Sequence, residues 1–297
     1  MLNRSALLVL VLLAGCRGGA GGSTIDGSGR PVAVPARAER VFPLAPNLTE
    51  LVAAVAGVER LAGVAPADDF PAGIAGLPRV ATYPIDAEGL VALHPDLVLG
   101  SLDVTTTADA DRLTGLGLPT YLFRFAALAD IPRAMRTLDT LLAVRGGATA
   151  AAEFERRVAG VRQAVAGFAA PRVLLLVGDG TGSGAGGTFY AFGRGSYASE
   201  MVRAAGGDNL TDRYDGAAAT PSEEAILDMA PEVIFVLGDA AGFGARHPAL
   251  LTTPAVASGR VYGLDPDLVS RPGPRVAEGV GVMARRLHPE AFAAGAA

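Results

Sequence analysis

Glu88-Gly-Leu-Val-Ala-Leu-His-Pro-Asp-Leu-Val-Leu99 and Glu224-Ala-Ile-Leu-Asp-Met-Ala-Pro-Glu-Val-Ile-Phe235 are one pattern written twice, 136 residues apart. In each copy an acid opens a helical stretch, a proline follows seven residues later, and a second acid leads a short apolar run. Proline cannot continue a helix and biases the residue before it away from helical backbone. A continuous apolar run of this length, bounded by turn chemistry, suits a buried strand. A helix–strand unit repeated at this distance predicts two similar lobes.

The surrounding sequence keeps the rhythm, alternating apolar runs with amphipathic stretches as an α/β chain does. Arg40–Leu44, Leu61–Ala65, Leu97–Gly100 and Tyr121–Phe125 read as strands, with helices at Leu48–Ala56, Ala87–Leu93 and Ala108–Leu116. Asn47 and Thr49-Glu50 suggest the N-terminal cap region of the first helix. A second set has strands at Arg172–Gly178, Phe189–Phe192, Val233–Gly238 and Arg260–Leu264 and helices at Tyr197–Ala205, Ser222–Met229 and Val276–Leu287. Between the sets, Asp130 to Phe168 carries Leu138, Leu141, Leu142 and Val144, then Phe154, Val158, Val161 and Val165, at helical spacing. This predicts one long helix, bent at Gly146-Gly147.

The N-terminus sets the compartment. Arg4 precedes the apolar run Ala6 to Ala14, which is far shorter than the ~20 residues a membrane-spanning helix needs but suits a secretory signal. Leu13-Ala14-Gly15-Cys16 resembles the bacterial lipobox, in which the cysteine is lipidated; the other reading is an ordinary signal peptide with an incidental cysteine. Cys16 is the only cysteine, so no internal disulfide can form. Arg17-Gly-Gly-Ala-Gly-Gly-Ser23 reads as a flexible tether. The expected organisation is a signal segment at 1–16, a tether at 17–38, an N-terminal lobe at 39–128, a bridging helix at 129–169 and a C-terminal lobe at 170–290.

Composition excludes several functions. The net charge is −5 and all 25 basic residues are arginine, without the basic stripe that nucleic-acid binding requires. A phosphate-binding loop of the Walker type needs a lysine, and G-x-S-x-G is absent. Gly182-Ser-Gly-Ala-Gly-Gly187 matches G-x-G-x-x-G, but leads into a strand-like run where a dinucleotide site must open a helix. His94, His247 and His288 each precede a proline and share no metal-ligand spacing, so a bare metal ion is not an expected cargo.

Several segments, in this order, resemble one family. They are Arg40-Val-Phe-Pro-Leu-Ala-Pro-Asn-Leu-Thr-Glu50, Leu61-Ala-Gly-Val-Ala-Pro-Ala-Asp-Asp-Phe-Pro71, Glu88 to Leu99, Phe189-Tyr-Ala-Phe-Gly-Arg-Gly-Ser-Tyr197 running into Ala205-Gly-Gly-Asp-Asn209, and Ser270-Arg-Pro-Gly-Pro-Arg275. From Arg40 to Pro289 the chain is similar to the periplasmic binding proteins for cobalamin, iron–siderophores and haem. The resemblance implies two Rossmann-like α/β lobes, a single long bridging helix and a ligand cleft between the lobes. It implies a monomeric substrate-binding lipoprotein rather than an enzyme, with no cofactor of its own. Its partners would be an ABC importer permease with its ATPase and a metal-chelate cargo, a cobalamin-like corrinoid or a ferric siderophore. Haem is the alternative, with Tyr83 as iron ligand. The protein would work in the periplasm or on the outer face of the cytoplasmic membrane, held by lipidated Cys16.

The resemblance also suggests roles for particular residues. Tyr83 falls where the family carries a cleft aromatic, although it also suits a half-buried loop tyrosine. Asp68 occupies a loop where cobalamin binders carry an aromatic, and Ala217-Ala-Ala219 replaces the second-lobe cleft contact; both are departures from the cobalamin pattern. A guanidinium grips an anion in two-pronged fashion. That makes Arg271 a candidate ligand contact, unless it or Arg275 pairs with an acid of the chain. Asp68, Tyr190, Arg194 and Tyr214 are further ligand-contact candidates. Glu88 and Glu224, one per lobe, would face arginines of the permease, or would simply complement their helix dipoles.

Overall fold

The computed structural model describes residues 22–178 and 189–293. The expected signal segment, Cys16 and the 182–187 glycine run lie outside the described residues.

The first lobe holds a parallel sheet in the order Val41–Pro43, Leu97–Ser101, Thr120–Phe123. The second lobe centres on parallel strands in the order Val261–Leu264, Val233–Leu237, Arg172–Leu176. Ala191–Phe192 and Ala218–Ala219 extend it antiparallel, and Asp208–Asn209 also pairs with Arg172–Leu176. The core strands are buried almost throughout, as parallel strands covered on both faces must be.

The repeated sequence is a repeated structure. Ala87–Leu93 and Glu223–Met229 are both seven-residue helices. Asp86 caps the first by accepting from Gly89 N at 3.0 Å, and Ser222 caps the second by accepting from Ala225 N at 3.2 Å. Each ends in a left-handed residue, His94 (φ 47°) and Ala230 (φ 45°), directly before its proline. The acid after the proline then ties its strand to a neighbour. Asp96 N donates to Arg40 O (2.8 Å) while Asp96 Oδ2 accepts from Arg40 N (2.9 Å). Glu232 N donates to Arg172 O (2.9 Å) while Glu232 Oε2 accepts from Arg172 N (2.8 Å).

Three expectations are corrected. Leu61–Ala65 forms isolated bridges, Val41 to Leu61 and Val64 to Arg79, rather than a strand. Its amides turn to different sides, Ala62 N donating to Val41 O and Val64 N to Pro78 O, so no ladder builds. The stretch expected as tether contains an antiparallel hairpin, Gly22–Ile25 with Pro31–Val34. Asp26 closes its turn by accepting from Ser28 and Arg30, and Gly27 N donates to Leu122 O at 2.6 Å, strapping the hairpin to the first lobe.

The predicted single helix over 130–168 is two helices, Asp130–Leu142 and Gly146–Val165, separated at left-handed Ala143 (φ 50°). They pack on one another, with Arg136 bridging to Glu155. Asp139 supplies the start signal for the second, its carboxylate accepting from Gly147 N (2.6 Å) and Ala148 N (2.9 Å). Gly146 and Gly147 are contact glycines rather than a bend: a Cβ on them would overlap the carbonyl oxygens of Val55 and Met135.

Gly146–Val165, about 30 Å long at the usual helical rise, is therefore the bridge. It packs on Pro46–Ala56 of the first lobe and on Val276–Leu287 of the second. One continuous core runs through it, from Leu51 and Val55 by way of Ala151, Phe154 and Val158 to Val280 and Met283. Apolar packing of this kind leaves little slack for the lobes to hinge.

Candidate ligand cleft

A cavity of about 640 Å³ opens between the lobes. The first lobe supplies Leu44, Ala45, Pro46, Asn47, Thr82, Tyr83 and the run Ser101 to Thr106; the second supplies Ser270, Arg271 and Pro272. Leu44 follows strand Val41–Pro43 and Ser101 ends strand Leu97–Ser101, so the cavity lies off the carboxyl ends of the parallel strands, the usual binding edge of open α/β sheets.

The two lobes meet beneath it in a cluster of charges. Glu50, on helix Pro46–Ala56, is nearly inaccessible to solvent (2%). Arg275 Nε donates to Glu50 Oε2 at 2.9 Å and Nη2 donates to Oε1 at 2.6 Å. Arg271 lies beside it, within 2.5 Å of Asp69, 3.0 Å of Asp267 and 3.7 Å of Glu50. These carboxylates raise the pKa of both arginines above their ordinary range; for Arg275 the Glu50 hydrogen bonds are the main cause, and for Arg271 desolvation is the largest single influence but is outweighed by the Asp69 hydrogen bond with the charges of Asp267, Asp69 and Glu50. The Arg275 guanidinium also stacks over Phe70, 4.6 Å from the ring centroid. Asn47 Nδ2 reaches Pro272 O at 3.4 Å.

Asn47, Thr49 and Glu50 thus do not cap their helix, whose N-cap is Ala45 without a side-chain bond. Pro46 at the first helical position lacks one of the first turn's unpaired N–H donors and has a backbone angle already suited to the helix. The polar side chains are instead spent on tertiary contacts, with Thr49 Oγ1 donating to Asp68 Oδ2 at 2.6 Å.

Of the expected ligand contacts, Tyr83 and Arg271 line the cavity. Tyr83 is 94% exposed, a phenol standing free at the rim. Arg271 faces the cavity with its guanidinium fork already engaged by Asp69 and Asp267. Asp68 does not line it: the residue is buried, accepts from Thr49 and Ala65, and leaves Oδ1 without a partner among the described residues. Desolvation is the largest influence on its carboxyl and raises the pKa. Tyr190 is exposed, Arg194 donates to Asp212 O at 2.8 Å, and Tyr214 packs against the second lobe's own core; none of the three lines the cavity. Glu88 and Glu224 are exposed near the starts of their twin helices, and no ion pair engages either among the described residues.

Asp103 was not anticipated. Its carboxylate faces the cavity and accepts from Ser101 Oγ at 2.9 Å. Cleft desolvation outweighs that bond and raises its pKa, and its charge in turn pushes the Tyr197 phenol upward, secondary to that tyrosine's own burial. Leu102-Asp-Val-Thr-Thr106 has neither periodicity nor a motif, and only its place just after strand Leu97–Ser101 could have flagged it.

The histidines are structural. His94 is a helix C-cap, His288 is buried with Nε2 3.1 Å from Gly206 O, and His247 is buried against Phe189 and Phe243 with Nδ1 3.0 Å from Glu223.

A cleft between two α/β lobes pinned by one shared helix defines a solute-binding protein of the bridging-helix kind. The sequence matches the periplasmic binding protein family over residues 43–268, and the chain belongs to that family. The cobalamin-binding protein of Halobacterium salinarum is 28% identical over 284 residues, covering 89% of this chain and 73% of that protein. The periplasmic vitamin B12-binding protein BtuF of Vibrio cholerae superposes with a TM-score of 0.74 at 26% identity, over 87% of this chain and all of that one. The periplasmic haem-binding protein RhuT of Roseiflexus sp. RS-1 gives the same TM-score at 25% identity, over 85% and 99%. The protein is thus a solute-binding protein of the periplasmic type, not an enzyme.

Proposed function

We propose that the protein captures a cobalamin-like corrinoid or a ferric siderophore outside the cytoplasm and hands it to an ABC permease. The observation that carries this reading is the cleft: wide, with more apolar than polar exposed surface and an aromatic rim at Tyr83, between lobes with little freedom to close. Such a site suits a large, rigid, preformed cargo held by surface area, with a few polar contacts setting orientation. The names of the cobalamin- and vitamin B12-binding relatives support the corrinoid.

Delivery follows from Glu88 and Glu224. Equivalent acids on equivalent helices present a matched pair of charges to a two-fold permease. Cys16, in Leu13-Ala-Gly-Cys16, is the proposed lipid attachment, holding a monomer at a membrane surface in the periplasm or outside the cell. The haem reading rests on Tyr83, whose exposed phenol could ligate ferric iron as a phenolate.

Titration of the purified full-length protein with cyanocobalamin, haemin and ferric siderophores, followed by tyrosine fluorescence and cargo absorbance, tests the assignment. Saturable binding weakened by Tyr83→Ala supports the cleft. Loss of a phenolate-to-iron band in Tyr83→Phe would favour haem. No binding to any of these cargoes defeats the proposal.

A further inference from the structure

We propose that Asp103 is the residue by which the cleft selects its cargo: its carboxylate accepts N–H donors from a neutral or cationic chelate and turns away chelates bearing carboxylates or net negative charge. The inference rests on the proposed capture of a metal chelate in this cleft and names which chelates are admitted.

Among the described residues, two charged side chains line the cavity, Asp103 and Arg271. Arg271 would be the natural receptor for an anion, but its fork is held by Asp69 and Asp267, with Glu50 close behind. An anionic cargo would have to displace one of these carboxylates and leave it unpaired. Around the cleft floor two guanidiniums, Arg271 and Arg275, stand against Glu50, Asp69 and Asp267, so the cluster is anionic before Asp103 is added. The N-terminus of helix Pro46–Ala56 also faces the cavity, but its dipole is worth only about half a positive charge.

Asp103 is placed to act on cargo. Ser101 Oγ donates to Oδ2 at 2.9 Å, fixing the carboxylate, and Oδ1 has no partner among the described residues. Arg124 influences it only through space, and Tyr197, a second-lobe group that feels its charge, already donates its hydroxyl to Val269 O at 2.7 Å. Asp103 is exposed in the open cleft, so a large cargo that covers it displaces its water, and one without a donor there leaves a charge unpaired. Primary amide side chains, as on a corrin ring, meet the requirement, as does a cationic ferric hydroxamate. The carboxylates of haem and the trianion of a ferric catecholate do not.

The test compares full-length wild-type protein with Asp103→Asn and Asp103→Arg, purified in mild detergent. The probes are cyanocobalamin, cyanocobalamin with one amide hydrolysed to carboxylate, ferric desferrioxamine B, haemin and ferric enterobactin. The expected result is that wild type binds amide-bearing or cationic probes at least about tenfold more tightly than anionic ones, that Asp103→Asn weakens the favoured probe about tenfold, and that Asp103→Arg narrows or reverses the order. Far-ultraviolet circular dichroism of the variants, unchanged from wild type, checks their folding. Tighter binding of haemin or ferric enterobactin by wild type overturns the inference. So do affinity ratios that neither variant moves by more than about twofold, and in either case capture of a chelate still stands. If wild type binds none of the probes, the cargo class itself fails and the inference falls with it.

Discussion

Glu50 and Arg275 join the two lobes through paired hydrogen bonds of 2.6 and 2.9 Å, although 225 residues separate them in sequence. Glu50 is sealed from solvent, whereas the Arg275 side chain stays 17% exposed. Removing the acid takes both paired hydrogen bonds from Arg275 and leaves it Asp267 at 3.5 Å, while Arg271 keeps Asp69 and Asp267. Glu50→Gln is expected to cost about 2–3 kcal/mol, less than the loss of a fully buried pair because the arginine side remains partly hydrated. Urea denaturation measures it; an effect below about 0.5 kcal/mol would show that the apolar core alone holds the lobes together.

The glycines of the bridging helix separate contact from flexibility. Gly147→Ala places a methyl against the Met135 carbonyl, and a loss of at least about 3 kcal/mol or failure to fold is expected. Gly160, on the same helix with open space around it, should gain about 0.5–1 kcal/mol on replacement by alanine. Thermal melts of the two variants should move in opposite directions.

Asp68 should make stability fall as pH rises. Its folded pKa lies above the ordinary value of 3.8, so the folded state holds a proton the unfolded chain has released. Its contribution is complete below 3.8 and is lost as pH rises through the raised folded value. Asp68→Asn cannot ionise and should remove this dependence. The stability of wild type minus that of Asp68→Asn, followed by urea denaturation from pH 3.5 upward, is expected to decline with pH; a rising difference would mean that Thr49, Ala65 and the nearby arginines outweigh burial.

Glu88 and Glu224 distinguish docking from dipole stabilisation. As dipole partners, each replacement by glutamine costs about 0.3–1 kcal/mol. As permease contacts, Glu88→Gln with Glu224→Gln should leave cargo affinity unchanged and abolish cargo-stimulated ATP hydrolysis by the reconstituted transporter. Full stimulation by the double variant would remove them from the interface.

The twin helix–strand units could be read from the chain because each of their signals is local. Glu88 and Glu224 at the helix starts, Pro95 and Pro231 as stops, and the apolar runs after them act within about a dozen residues, where sequence order and spatial proximity coincide. The bridging helix was half legible: periodicity located its apolar face, but the break at Ala143 and the purpose of Gly146 and Gly147 depend on Val55 and Met135, which meet them only after packing. The cleft was the least legible part. Arg271 could be recognised as a fixed guanidinium, yet whether it is free for an anion depends on Asp69, 202 residues away. Sequence alone determined which local units form, because hydrogen bonding and periodicity act along the chain. Only the tertiary structure decided which charges are already spent and that Asp103 is left facing the cargo, because Coulomb and desolvation energies depend on distances that the fold creates.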